Sequence, residues 1–220
     1  MDTVNKPRIS LTIIGIMFTV SFTFILLYAE SFFPGFLRYG YAKKFIIWLW
    51  LLLLVLYTVK VEKQRFILWK DSKRSFLFYV LSVIAIMALS FLAGASRQLL
   101  PLFGVKLQSS QVLKEMIMYV QQRPLLLVLT CITAGVVEEL IFRAYLIPRL
   151  TLLLKTNWLP LLLSAFVFGL AHIGYGTFVN MLVPFLLGVI FGAYYQKYRN
   201  IKVLICCHFL IDLISLLVQK

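Results

Sequence analysis

Charge is scarce in this sequence. Only 14% of its 220 residues are Asp, Glu, Lys or Arg, against about a quarter in soluble domains. That shortage, together with 62% hydrophobic residues and a mean hydropathy of +0.94, excludes a water-soluble surface. Acidic residues number only eight, and histidine occurs twice. Cysteine occurs three times, at Cys131, Cys206 and Cys207, each time inside an apolar run. This excludes a disulfide framework and leaves small-hydrophobe packing as the default. A small-residue cleavage site is also lacking after the first apolar run, Ile9 to Ala29, which is longer than a signal-peptide core and is read as a retained helix.

What the sequence does hold is a succession of apolar runs, each near the length of about 20 residues that spans a bilayer as a helix. They are Ile9 to Ala29, Phe45 to Val59, Phe76 to Gly94, Leu125 to Leu150, Leu159 to His172, Phe178 to Tyr195 and Val203 to Val218. The expected fold is all-α, a polytopic transmembrane helical bundle of about seven spans. Residues 1–220 read as a single membrane domain, with three scaffold helices in 1–95 and the ionisable groups gathered in 125–218. Between them, Ser96 to Arg123 is more polar, contains Pro101 and Gly104, and includes an amphipathic stretch, Val112 to Val120, suited to the interface. There is no flexible linker and no internal repeat.

The net charge of +14 comes from 22 Lys and Arg residues scattered through the connections, without the interleaved aromatics of a nucleic-acid surface. Membrane orientation explains it better. With the N-terminus inside, 14 basic residues fall in inner connections and 8 in outer ones, Arg143, Arg149 and Lys155 counting as inner. On straight helices that orientation leaves Glu138 and His208 in the inner half and His172 near the outer end.

An ionisable group in hydrocarbon is costly unless paired or hydrated, so its default reading is functional. Three groups stand out: Glu138-Glu139-Leu140-Ile141-Phe142-Arg143, Phe168-Gly169-Leu170-Ala171-His172, and His208-Phe209-Leu210-Ile211-Asp212. Glu139 and Arg143, four apart on a helix, face each other as an ion pair, with the acid N-terminal to the base in the better orientation. Glu138 points about 100° away and is the carboxylate left for proton transfer. His208 and Asp212 share a face, where a carboxylate orients an imidazole. Two chemistries fit one glutamate and two histidines. In one, Glu138 and His172 activate a water while His208 and its neighbour stabilise an oxyanion. In the other, Glu138, His172 and His208 hold a zinc ion with one open position. The His-Glu-x-x-His pattern of soluble zinc proteases is absent.

These three groups, in this order and on successive C-terminal spans, resemble the signatures of the CPBP family of intramembrane proteases, the CAAX-processing and bacteriocin-processing enzymes also called Abi proteins. The family's Glu-Glu-x-x-x-Arg, Phe-x-x-x-His and His-x-x-x-Asn/Asp patterns fall on Glu138 to Arg143, Phe168 to His172 and His208 to Asp212. The resemblance covers about Leu125 to Val218 and implies a helical enzyme whose active site opens within the membrane. It implies that Glu138, His172, His208 and Asp212 are catalytic, the first two activating water and the last two forming the oxyanion site. Phe168 packs the motif, and no cofactor is required unless zinc is used. Where CAAX-processing members carry Asn, this chain has Asp212, and an ionised carboxylate accepts hydrogen bonds but donates none. Asp212 must then be protonated or serve to orient His208.

The expected substrate is a membrane peptide or lipidated protein in the lipid bilayer of, by this resemblance, a bacterial cytoplasmic membrane. No nucleic acid is expected as a partner. CAAX-type processing and bacteriocin immunity or maturation are the two roles the family offers. A proton-coupled transporter would also place acids and histidines in helices, yet repeat symmetry and paired broken helices are not evident. A non-catalytic immunity or scaffold protein on the same fold would need none of Glu138, His172 and His208 intact.

Overall fold

A computed structural model describes residues 9–30, 32, 35–71 and 73–219. Lys6 and Arg8, two of the inner basic residues in the orientation count, lie outside these residues. Among the described residues there are helices and turns but no strand. Seven helical stretches are long and apolar enough to cross a membrane, as the sequence predicts. They are Ile9–Ala29, Tyr41–Glu62, Phe76–Phe103, Pro124–Leu154, Trp158–Tyr175, Phe178–Tyr198 and Ile201–Val218. The protein is an integral membrane protein.

The helices are α1 (Ile9–Glu30), α2 (Gly35–Tyr39), α3 (Tyr41–Tyr57), α4 (Phe76–Ala95), α5 (Gln111–Gln121), α6 (Pro124–Thr133), α7 (Ile147–Leu154), α8 (Trp158–Leu170), α9 (Phe178–Tyr198) and α10 (Ile201–Val218). Side-chain caps start several of them. Ser75, Ser110, Thr177 and Asn200 each accept a backbone N–H from the first turn of α4, α5, α9 and α10, satisfying donors that a helix N-terminus otherwise leaves open. Between α6 and α7 the chain does not stop. It widens into a π-helix, Ala134–Leu146, in which backbone bonds run from i to i+5.

That π segment is the axis of the bundle. Every residue from Ile141 to Arg149 is buried, so this helix has neighbours on all sides rather than one apolar face. Val137, Ile141, Phe142, Tyr145 and Leu146 pack with Trp50, Leu51 and Leu54 of α3 and with Phe168 of α8. On the opposite side Ala144 joins Ile86 of α4, Phe191 and Tyr195 of α9 and Leu204 and Cys207 of α10. By contrast α1 turns Ile13, Met17, Phe18 and Ile25 outward, the composition that lipid contact requires.

Close helix approach depends on small residues, as is general where lipid is as apolar as any side chain. A Cβ on Gly188 would meet the Ala165 Cα at 2.9 Å, and one on Gly169 would meet the Phe185 Cβ at 2.9 Å, so α8 and α9 lie nearly backbone to backbone. Gly135 of the π segment does the same against α10, where a Cβ would lie 3.0 Å from the Ile205 carbonyl oxygen.

A second buried ion pair closes the other end of the bundle. Glu62, at the end of the π turn Thr58–Glu62 that prolongs α3, accepts from Arg149 Nε at 3.0 Å and Nη2 at 2.8 Å, and from the Tyr145 hydroxyl at 3.1 Å. Arg149 also donates to the carbonyls of Arg65 and Phe66. Sequence counting places Arg149 among the inner connection charges, whereas here it is buried and paired, as is Arg143. Neither is free to set orientation as a loop charge.

Removing one partner of such a pair strands the other in a dry interior. Glu62→Ala is expected to destabilise the protein by about 3–5 kcal/mol, read from unfolding in detergent, whereas replacing Glu62 and Arg149 together with Met costs clearly less. Equal losses for the single and the double variant would show that the pair does not act as a pair.

Candidate active site

The widened helix places two consecutive glutamates in different surroundings. Glu139 is fully buried, and its Oε1 lies 3.0 Å from Arg143 Nη1 and 2.7 Å from His208 Nδ1. The sequence supplies the first of these contacts but not the second, which crosses from the π segment to α10. Arg143 in turn lies over the rings of Phe168 and Phe191, its Cζ 4.3 Å and 5.3 Å from their centroids, an arrangement in which the aromatic faces attract the cation. One carboxylate therefore holds both the cation that seats Phe168 and the imidazole that faces the cavity.

His208 is positioned by this contact. With Nδ1 donating to Glu139, Nε2 is the nitrogen presented to the cavity. It lies 3.8 Å from Glu138 Oε2 and 3.8 Å from Asp212 Oδ2. Glu138 Oε2 has no hydrogen-bond partner among the described residues. The arrangement puts a carboxylate on each side of one imidazole nitrogen.

His172 arrives from α8. The Nδ1 of its ring is 2.8 Å from the Phe168 carbonyl oxygen, which can only accept, so Nδ1 carries the proton and Nε2 keeps its lone pair. Its ring meets Phe168 edge to face at 4.8 Å, and Phe168 meets His208 at 6.1 Å. Phe168 is thus the spacer between the two histidines. In place of the straight helix assumed from the sequence, α8 is short and ends in a turn. Thirteen residues rise only about 20 Å, against a hydrocarbon core of about 30 Å. The chain then passes through His172 and a 3-10 turn, Ile173–Tyr175, whose amides bond locally: His172 N to Gly169 O, Tyr175 N to His172 O and Gly176 N to Ile173 O. Such irregular backbone is tolerated at membrane depth when protein satisfies it and it borders a cavity.

Two cavities meet at Glu138 and His172. The first, of about 210 Å³, is the more polar and is bordered by both these residues, His208, Asp212, Thr133 and Lys44. The second, of about 170 Å³, is apolar and runs between α1, α3 and the π segment past Phe22, Leu26, Ile47, Trp50 and Ile141. The amphipathic α5, foreseen as interfacial, borders both through Met116. It is tied down at each end, by Ser110 Oγ donating to the Tyr175 carbonyl and by Gln121 Nε2 donating to the carbonyls of Leu216 and Gln219.

With this geometry in place the comparison with known families is informative. Residues 120–214 match the family model described as type II CAAX prenyl endopeptidase, Rce1-like. Over this stretch the chain is similar to that family. It runs from the end of α5 into α10 and contains Glu138, Glu139, Arg143, Phe168, His172, His208 and Asp212. No curated protein and no solved structure matches the chain. The family matched over this stretch is one of membrane-embedded proteases, consistent with the seven apolar spans.

The three motifs are therefore brought together around one cavity. Among the described residues, no three His, Cys, Asp or Glu side chains form a group that could hold a metal ion, the set Glu138, His172 and His208 included. Sequence reasoning missed Lys44, buried yet bordering both cavities, because it sits in a basic pair at the start of α3 that reads as an interfacial anchor. It missed Thr133 and Trp48, whose contact joins α6 to α3 over 85 residues of chain.

Because Glu139 orients His208, Glu139→Gln is expected to lower activity about 100-fold, the scale of a slight misplacement of a reacting group. The same variant should unfold more easily, since Arg143 then lacks its acid. Parental turnover in Glu139→Gln, measured beside its unfolding midpoint, would remove Glu139 from this role.

Proposed function

We propose that the protein is an intramembrane endopeptidase of CAAX type that hydrolyses a peptide bond of a membrane-associated or lipid-modified peptide with water activated by Glu138 and His172. The observation that carries this reading is the convergence of Glu138, His172 and His208 on a polar cavity that adjoins an apolar one within the bilayer. The polar cavity suits the scissile peptide, and the apolar one suits a lipid or a hydrophobic side chain attached to it. CAAX-type processing and the maturation of, or immunity to, a membrane-active bacteriocin peptide both fall within this substrate class.

The chemistry follows from the groups present. Water sits between Glu138 and the unprotonated Nε2 of His172, and Glu138 takes one of its protons. The oxygen lone pair attacks the peptide carbonyl carbon, and the C=O electron pair moves onto the carbonyl oxygen. His208 Nε2–H stabilises that oxygen when the ring is an imidazolium, the form favoured by carboxylates at both of its nitrogens. Collapse of the tetrahedral intermediate breaks the C–N bond, and the proton on Glu138 passes to the departing nitrogen. Asp212 orients His208 from the far side, a task an ionised carboxylate performs without donating.

In proteoliposomes with a tethered membrane peptide, Glu138→Gln, His172→Ala and His208→Ala are each expected to lower kcat by at least about 100-fold while the protein stays folded. Full cleavage by Glu138→Gln would overturn the mechanism. The route uses no metal, so turnover should survive exhaustive chelation. Loss of activity on chelation, restored by stoichiometric Zn²⁺, would overturn the metal-free route.

A further inference from the structure

Of the two motif residues on the oxyanion side, one can donate and the other cannot as a carboxylate. His208 offers one N–H, and the neighbour that would offer a second as Asn is Asp212, which as a carboxylate offers none. Acyl-transfer sites commonly direct more than one donor at the developing charge.

Thr133, the last residue of α6, is buried and borders the polar cavity. Its hydroxyl differs from those of five other helical threonines. Thr19, Thr23, Thr58, Thr130 and Thr151 each donate to the carbonyl four residues earlier, which occupies the hydroxyl proton. Thr133 makes no such bond. Instead its Oγ1 accepts the indole N–H of Trp48 at 3.0 Å. A hydroxyl has one proton and two lone pairs. With a lone pair taken by Trp48 and no backbone carbonyl taking the proton, the O–H is left to donate into the cavity.

Its position fits that use. Gly135 touches Ile205 and Phe209 of the antiparallel α10, so Thr133, two residues earlier, stands level with the turn that runs from His208 to Asp212. The π-helix opens directly after it, and Glu138 follows one π turn on. Thr133, Glu138 and His208 all border the same polar cavity.

We infer that Thr133 is a catalytic residue: its hydroxyl, held in orientation by Trp48, supplies the second hydrogen bond to the oxyanion, the donor that Asp212 does not provide. This rests on the peptidase reading above. The hydroxyl keeps its proton throughout; it donates to the carbonyl oxygen as negative charge develops there and releases it when the C–N bond breaks. Because charge is present on that oxygen only in the transition state, the contribution appears in kcat rather than KM.

The test compares the parent, Thr133→Val, Thr133→Ser, Trp48→Phe and Glu138→Gln in the same proteoliposomes with the same tethered peptide. Valine keeps the shape of threonine, so Thr133→Val should unfold at nearly the parental temperature while kcat falls about 100-fold and KM stays near the parental value. Thr133→Ser, which restores the hydroxyl, should recover most of that loss. Trp48→Phe, which leaves the hydroxyl in place without its orienting donor, should lose a smaller factor. A Thr133→Val kcat within about twofold of the parent, or a Thr133→Ser as slow as Thr133→Val, would overturn the inference. Should Thr133→Val fail to fold, an unchanged kcat in Trp48→Phe overturns it. Cleavage by Glu138→Gln would instead bring down the peptidase reading itself, whereas an inactive Glu138→Gln beside a fully active Thr133→Val defeats only the role of Thr133.

Discussion

A carboxylate in hydrocarbon must be met by cations or strong donors, and Glu139 is met twice through a single oxygen, by Arg143 at 3.0 Å and by His208 at 2.7 Å. Most of the site follows from that shared contact. Arg143 is drawn in between Phe168 and Phe191, which seats α8 and α9 against the π segment. His208 is turned so that its other nitrogen faces the cavity. Phe168, pressed under the guanidinium, sets the position of His172 through its ring and its carbonyl. His208 and His172 are thereby both positioned from one carboxylate, the first directly and the second through Arg143 and Phe168.

The π-helix is what makes that economy geometrically feasible. A regular α-helix spreads successive side chains about 100° apart, and a wider coil brings them closer in direction. Glu138 and Glu139 are thus directed to different partners while both stay within reach of His208, which they approach from its two nitrogens. Such widened turns tend to occur at functional positions, and here one runs through 13 residues at the centre of the bundle.

The seven spans are legible in the sequence because each is an unbroken apolar run of about the required length, and the Glu139–Arg143 pair is legible because four-residue spacing survives the widening. The three motifs are legible because ionisable groups are so rare in the C-terminal helices. What stays hidden has a common cause, contact between residues distant along the chain. The π-helix has no compositional mark. Glu62 lies at the edge of a basic connection, and only the fold shows that it belongs to Arg149, 87 residues away. Lys44 reads as an anchor and Thr133 as one more helical hydroxyl until α3 is laid against α6. The break after α8 is hidden because a run ending at His172 reads as one continuous helix, whereas its α-helical part is only 13 residues.

That short helix also bears on how a hydrolase obtains its second reactant in a medium that excludes it. A bilayer cannot follow a helix about 20 Å long without thinning beside it or leaving a recess above it. The turn from His172 to Gly176 follows that helix and borders the cavities through His172, and its tip, Gly176, has a left-handed backbone with open space where a side chain would stand. A route for water along this turn would end at the lone pair of His172, so the length of a single helix bears on how an attacking molecule is supplied.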